Sequence, residues 1–547
     1  MSPTHHLHDT PLRWRGERYP GTDAAGIYGA LADLDQPCFI VVTPEGIGAV
    51  SGGGVVSGTD TTGWPLLAAA QPLPPHRLGS AAFLTAHGVR SPYMAGAMAG
   101  GIASADMVIA LAREGFLASF GAAGLLPRTI EQALGRFAAE IPDLPYAVNL
   151  IHSPSEDRLE REAVELFLLH GVRCVEASAY LDLTPHVVRY RLAGLYREAD
   201  GTVVAANRLI AKVSRTETAE RFMRPAPAAL VGSLLEQGLI TQEQAALAHH
   251  VPLADDITVE ADSGGHTDRR PLPALLPTIL RLRDTVQREH RYPVPVRVGA
   301  GGGLGTPVAV SAAFAMGAAY VVTGSVNQSC VESGASTAAK AMLAEAGIAD
   351  CDMAPAADMF ELGVELQVLK KGTLFPMRAR KLYQLYQAYD GIEAIPAAER
   401  AKLEQQLFRR PLEDVWQECV GYFERRDPEQ LARAAGSPKR RMALVFRWYL
   451  GMSSRWAVTG EGDRTMDYQV WCGPAMGSFN DWVTGSYLKT PGNRRVADVA
   501  HHLMLGAAFH TRLAQLRSAG VRIPAGVGDY RPVPLEAPVD DTPAGLR

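Results

Sequence analysis

The stretch "VRVGAGGGLGTP", Val296 to Pro307, decides between two folds. It reads as a short apolar strand, then a run of glycines, then Thr306 and Pro307 opening a helix. An open doubly wound sheet would hold a dinucleotide at such a turn through a G-x-G-x-x-G pattern. Counted from Gly299 the pattern fails, because Leu304 stands where the third glycine is required. The first strand–helix turn of the chain lacks the fingerprint as well. The alternative is a closed (β/α)8 barrel, in which backbone N–H groups after the seventh and eighth strands receive a phosphate.

The strand count agrees with the barrel. Working outward, apolar strands fall at 93–98, 116–120, 146–150, 174–178, 209–214, 256–260, 296–300 and 320–324, with amphipathic helical segments between them. Strict alternation of strand and helix predicts a parallel sheet with right-handed crossovers. The expected fold class is therefore α/β, a (β/α)8 TIM barrel over 79–350. Residues 1–78, with "PCFIVVTPEGIGAVSGG" as strand, turn and strand, form a small N-terminal domain. Beyond the barrel the alternation stops. Leu412, Val415, Trp416, Cys419, Val420 and Phe423 recur at helical spacing, so 351–465 is expected to be a helical insertion or lid. Residues 466–520 form a return segment and closing helix, and 521–547 a loose tail.

Composition narrows the class. Of 547 residues, 47% are hydrophobic and 20% charged, as in ordinary globular proteins. A net charge of −5 argues against nucleic acid. None of the six cysteines forms a C-x-x-C pair, so no zinc or redox dithiol is signalled, and no metal is expected. His5, His6 and His8 read as a frayed tail. With no apolar run of signal-peptide type and none of membrane-spanning length, the expected location is cytoplasmic.

Candidate site residues follow from the strand ends. Gly301, Gly302 and Gly303 after the seventh strand expose backbone N–H groups that can form an anion nest, helped by the start of the next helix. Gly324 and Ser325 close it from the eighth strand. A phosphate there implies a phosphorylated cofactor across the barrel mouth. Ala95, Gly96, Ala97 and Met98 after the first strand offer backbone and one soft side chain to a flat ring. Asn149 can bond a flavin edge, and Lys212 suits the negative N1–C2 edge of a reduced flavin. Singly, Met98 could be core filler, Asn149 a turn former and Lys212 a salt-bridge partner; their convergence on one rim favours a site. In "EADSGGHTDRR", 260–270, Gly264 and Gly265 allow close approach of a ligand, and His266 is aimed at it. Tyr180 and His186 are weaker candidates.

"EADSGGHTD", "VGAGGGLGTP" and "GAAYVVTGSVNQSCVES" resemble the nitronate monooxygenase and FMN-dependent enoyl reductase superfamily. More specifically, "MAGAMAGGIASADMVIALAREGFLASFGAAGL", "LKKGTLFPMRARKLYQLY" and "WCGPAMGSFNDWVTGSYL" resemble the PfaD group of trans-acting enoyl reductases of polyketide and polyunsaturated-fatty-acid synthases. The resemblance implies FMN, NADPH as hydride source, and an enoyl thioester on an acyl carrier protein as substrate. It puts the G-G-H histidine at His266, as hydrogen-bond donor or proton source. The broader superfamily often has a glutamate where this chain has Asp262, which leaves the role of that carboxylate open. Two other readings stand: a nitronate monooxygenase with His266 as base, against which the helical insertion argues, and a flavin-binding scaffold without turnover. Carrier proteins are acidic, so Lys370, Lys371, Arg378, Arg380 and Lys381, with no acidic residue among them in sequence, are the expected docking cluster. Lys439, Arg440 and Arg441 form a second basic cluster. Neither nucleic acid nor membrane is an expected partner, and a homodimer is allowed.

Overall fold

The structure, a computed structural model, describes residues 12–57, 62–152, 157–524 and 526–535. The histidines at 5, 6 and 8 and residues 536–547 lie outside the described residues.

Eight parallel strands close into a barrel: β1 (Tyr93–Ala95), β2 (Leu117–Phe120), β3 (Ala147–Ile151), β4 (Cys174–Ser178), β5 (Arg208–Val213), β6 (Asp256–Glu260), β7 (Arg297–Gly301) and β8 (Val321–Thr323). Each pairs with the next in sequence, and β8 returns to β1 with Thr323 opposite Ala95. The strands read as continuous apolar runs because both faces are covered, the inner by the barrel interior and the outer by helices. β2 and β4 are buried at every position. β1 stops at Ala95, three residues short of the expected strand, because the chain then leaves the ladder: Ala97 N–H turns inward to Glu176 Oε2 at 2.8 Å.

The N-terminal end of the barrel is a stability device. Asp256 opens β6 and accepts from Arg297 at 2.6 and 2.7 Å and from His87 Nε2 at 2.9 Å. All three side chains are buried. Burial pushes the Asp256 pKa up, and the charges of His87 and Arg297 outweigh it and hold the carboxyl below its ordinary value.

The N-terminal domain is a five-stranded antiparallel sheet, in order Gly46–Ser51, Cys38–Thr43, Trp64–Ala70, Arg13–Arg15 and Gly54–Val56, with helix Ala24–Ala32 against it. The closing helix Val496–Ser518 joins it to the barrel. Phe509, Leu513 and Leu516 share a core cluster with Ile27, Leu31 and Ile40.

The segment after the barrel is not helical from its start. Cys351–Pro355 and Glu365–Leu369 pair as antiparallel strands before the helices Phe375–Ala388, Ala397–Lys402, Leu412–Arg426, Pro428–Ala435 and Pro438–Thr459. Five residues each and without a shared apolar period, these strands owe their state to tertiary pairing. The second takes Gly265–His266 as a further strand and meets Trp471 at a bridge. The described part of the expected loose tail is packed: Val527 is buried and the Tyr530 phenol lies 2.9 Å from His502 Nδ1.

Candidate functional site

The C-terminal ends of the barrel strands surround a cavity of about 360 Å³. Gly96, Ala97, Met98, Asn149, Lys212, Gly265, His266, Gly301, Gly302, Gly303, Gly324 and Ser325 all line it. Ala95 does not. It lies within β1, 1% exposed, and belongs to the barrel wall. Thr306 and Pro307 also stand outside the lining, so the glycine backbone faces the cavity while the start of the next helix does not.

The glycines divide into two kinds. At Gly302, with φ +85°, a Cβ would stand 2.6 Å from the Ala261 backbone, so this residue is required by the close passage of the chain after β6. At Gly303 and Gly324 a Cβ would meet nothing within 4 Å. These two form an open cradle that any side chain would enter. Ser325 Oγ accepts from Gly473 N–H at 3.1 Å, which leaves its own hydroxyl proton free to donate.

A charged array descends into the barrel from the rim. Lys212 Nζ on β5 lies 2.9 Å from Glu260 Oε1 on β6. Beneath them Glu176 on β4 is fully buried, with Oε2 bonded to Ala97 N–H and Oε1 without a hydrogen-bond partner among the described residues. Burial raises the Glu176 pKa. Burial would lower that of Lys212, but Glu260 and Glu176 more than offset it and hold the amine charged. Lys212 is thus both a salt-bridge partner and a cavity residue. The Asn149 amide nitrogen is committed to Glu176 O at 3.0 Å and Ser178 Oγ at 2.9 Å, so the carbonyl oxygen is the atom left for a ligand.

The loop after β6 explains its paired glycines differently from the expectation. A Cβ on Gly264 would lie 2.8 Å from Cys472 N, so its bareness admits the return segment and not a ligand. Gly265, at φ +82°, turns the chain so that His266 faces the cavity. Gln367 Nε2 donates to Asp262 Oδ1 at 2.9 Å and to Ser263 O at 2.7 Å. The shortened carboxylate at 262 therefore has a partner, and the histidine loop is pinned by the strand Glu365–Leu369. His266 Nε2 lies 3.2 Å from Asp358 Oδ2. Burial would lower the His266 pKa, and the Asp358 hydrogen bond and charge, with the charge of Glu260, leave it above the ordinary imidazole value.

Other candidates are placed elsewhere or already engaged. Tyr180 lines the cavity, yet its hydroxyl donates to buried Glu160 at 2.7 Å. His186 bonds Asp157 at 2.9 Å, outside the lining. The basic cluster is not free of acid. Arg378 is bound to buried Asp467, Arg380 to Asp352 at 2.6 Å, Lys381 to Glu399 at 2.7 Å and Lys371 to Asp350 at 3.8 Å. Among the described residues only Lys370 of the five has no ion pair. The second cluster is structural: Lys439 Nζ bonds Tyr389 O at 2.7 Å and Tyr386 O, closing the helix Phe375–Ala388, and Arg441 pairs with Glu413.

Glu176, Glu260, Asp358, Gln367 and Trp471 were missed from the sequence. Glu176 carried a signal, a carboxylate in the middle of a short buried strand, and Glu260 a weaker one, a carboxylate at the C-terminal end of its strand. Asp358 and Gln367 carried none, since only the folded hairpin brings them to the histidine.

Comparison with known proteins gives a consistent picture. Residues 82–382 match the nitronate monooxygenase family, 14–72 the N-terminal domain of the PfaD component of fatty acid synthase, and 389–468 the inserted helical domain of acyl-carrier-protein S-malonyltransferase. The chain is 50% identical over 495 residues to a polyunsaturated fatty acid synthase component of Thraustochytrium sp., covering 89% of this chain and 33% of that protein. It is 43% identical over 442 residues to polyketide biosynthesis protein PksE of Bacillus subtilis, covering 80% of this chain and 57% of that protein. It thus spans about a third to somewhat over half the length of these relatives. Among solved structures it is similar to the enoyl reductase domain of MlnA from the macrolactin biosynthesis cluster of Bacillus amyloliquefaciens. That likeness has a TM-score of 0.77 and 38% identity, and covers 82% of this chain and 100% of that one.

Proposed function

Because the chain belongs to the nitronate monooxygenase family, with a PfaD N-terminal domain ahead of its barrel, we propose that it is an FMN-dependent enoyl reductase. In this reading it uses NADPH and acts in trans on enoyl thioesters carried by an acyl carrier protein. The observation that carries it is the joint geometry of the barrel mouth. An imidazole with one nitrogen in an ion pair, and the other without a partner among the described residues, lines the same cavity as an open glycine cradle.

The residues fit the flavin. The backbone of Gly301 to Gly303 with Gly324 and Ser325 would hold its phosphate, and Gly303 and Gly324 leave the space open for it. Asn149 and Lys212 would meet the ring edges, Lys212 as a fixed positive charge. Bound and reduced, the flavin would supply a hydride. The protein supplies the rest. Hydride arrival at Cβ of an enoyl thioester builds negative charge on the thioester oxygen, and Cα then needs a proton. His266 Nδ1 makes no hydrogen bond within the protein among the described residues. As the imidazolium it donates to that oxygen and delivers the proton. One hydride and one proton give the saturated acyl thioester.

The family match alone would also suit nitronate oxidation, with His266 as base. The 50% identity to a polyunsaturated fatty acid synthase component and the full coverage of an enoyl reductase domain favour the thioester. One experiment separates the readings. The purified protein is denatured and its flavin identified; the holoprotein is then bleached anaerobically with NADPH and offered crotonyl thioester. Released FMN and reoxidation by the thioester are expected. Reoxidation only by oxygen with a nitronate would assign the other chemistry, and an unbleached flavin would leave a scaffold.

A further inference from the structure

The charge that holds His266 comes from outside the barrel. Asp358 lies on the turn between the strands Cys351–Pro355 and Glu365–Leu369, and the second of these strands pairs directly with Gly265–His266. Backbone pairing places Leu366 opposite His266 and Gln367 opposite Gly265, while the Gln367 amide fastens Asp262 and Ser263. The same hairpin that fixes the histidine loop therefore delivers a carboxylate to its Nε2. We propose that Asp358 is the positioning residue of the site: through its ion-pair contact it fixes the ring of His266 and leaves Nδ1 for the substrate. This rests on His266 being the proton source in the function proposed above.

The surrounding charges favour the assignment. Glu260 and Lys212 face His266 from β6 and β5, and their mutual ion pair at 2.9 Å makes them largely self-compensating. On the far side, Arg447 lies near Asp358, but its own partner is Glu361 at 3.4 Å. Asp358 is the one carboxylate in an ion pair with the ring among the described residues. Burial acts to raise the Asp358 pKa, and the His266 bond and charge hold it below the ordinary carboxylate value. The two shifts are thus reciprocal, as an ion pair requires. An amide at 358 would keep the size and shape of the side chain and remove its charge.

The test uses the full chain with flavin bound. Histidine ring signals are followed by NMR from pH 5 to 9, with His266→Gln identifying the resonance, in the parent, Asp358→Asn and Asp358→Glu. The Asn variant is expected to titrate at lower pH and the Glu variant to return toward the parent. In rapid mixing, Asp358→Asn should slow thioester reduction about tenfold or more at pH 8, less than the 10²–10⁴ typical of losing the acid itself. Reduction of the flavin by NADPH should be unchanged. An unmoved titration overturns the role of Asp358 whatever the rate does. A moved titration with an unchanged thioester step at every pH refutes His266 as proton source, and the proposal falls with it.

Discussion

In the proposed function, the missing side chain of Gly324 leaves the space that a phosphate would take at the barrel mouth. The site of its absent Cβ is open space, and its φ of −129° is not in the left-handed region, so neither a clash nor a positive φ stands against a side chain there. Gly324→Val is therefore expected to fold and to purify colourless, seen as loss of the flavin band with an unchanged circular dichroism spectrum. Gly302→Val tests the contrast: its Cβ would collide with the Ala261 backbone, so it should lower stability whether or not flavin is present. A yellow Gly324→Val protein would remove the cradle from the site. His266 is the second residue on which the proposed function rests. His266→Ala should keep the flavin and its reduction by NADPH while slowing thioester reduction about 10²–10⁴-fold. The ion pair also fixes a pH window. A histidine whose pKa is raised on folding stabilises the fold below its ordinary value and loses that contribution as pH rises through the folded value. Asp358, depressed, contributes above the ordinary carboxylate value and loses its part as pH falls. The pair therefore acts most fully between about pH 4 and 6.5. Asp358→Asn should lower stability most within that window and weaken the pH dependence on either side of it.

The barrel strands were legible because each is a short apolar run bounded by turn residues, and their number alone selects closure. All eight appear within a residue or two of the reading, apart from the early end of β1, where Gly96 to Met98 are set by Glu176 and not by the ladder. The strands Cys351–Pro355 and Glu365–Leu369 were not legible. "CDMAP" and "ELQVL" have no period that separates them from loop, and they exist because Gly265–His266 and Trp471 complete their sheet. The same reason hid Asp358. The glycines at 301–303 and His266 were visible as residues, but the division of labour between Gly302 and Gly303 needed the backbone of Ala261 to be in place. The hairpin is thus the element on which the site depends. Gln367→Ala leaves Asp262 and the Ser263 carbonyl without their donor, at a cost of about 1–3 kcal/mol. Hydrogen exchange at Gly264 to Thr267 should rise, while exchange in β7 and β8 stays as in the parent.

At the scale of the whole molecule the question is how a chain of net charge −5 would meet an acidic carrier protein. The sequence suggests a strip of five positive charges, and the fold neutralises most of it. Arg378 is only 16% exposed and bound to Asp467, while Arg380 and Lys381 each have a carboxylate within 2.7 Å. Reversing Arg380 would set a glutamate against Asp352 and disturb the fold before it tested docking. What remains outward is Lys370, unpaired among the described residues, and Lys371, half exposed, whose ammonium donates to the Glu345 carbonyl and lies 3.8 Å from Asp350. They border a shallow cleft with Met377 and Arg380, next to the helical insertion. Two such charges steer an encounter without holding the complex, so the effect belongs mainly to the association rate. Lys370→Glu with Lys371→Glu is expected to raise KM for a carrier-bound enoyl substrate by about three- to tenfold at 50 mM salt. The difference should shrink toward unity by 500 mM, as the Debye length falls below about 5 Å. A short pantetheine thioester presents no protein surface and should show no change. If KM rises equally for both substrates, the lysines act through the site or the fold; if neither moves, the carrier approaches elsewhere.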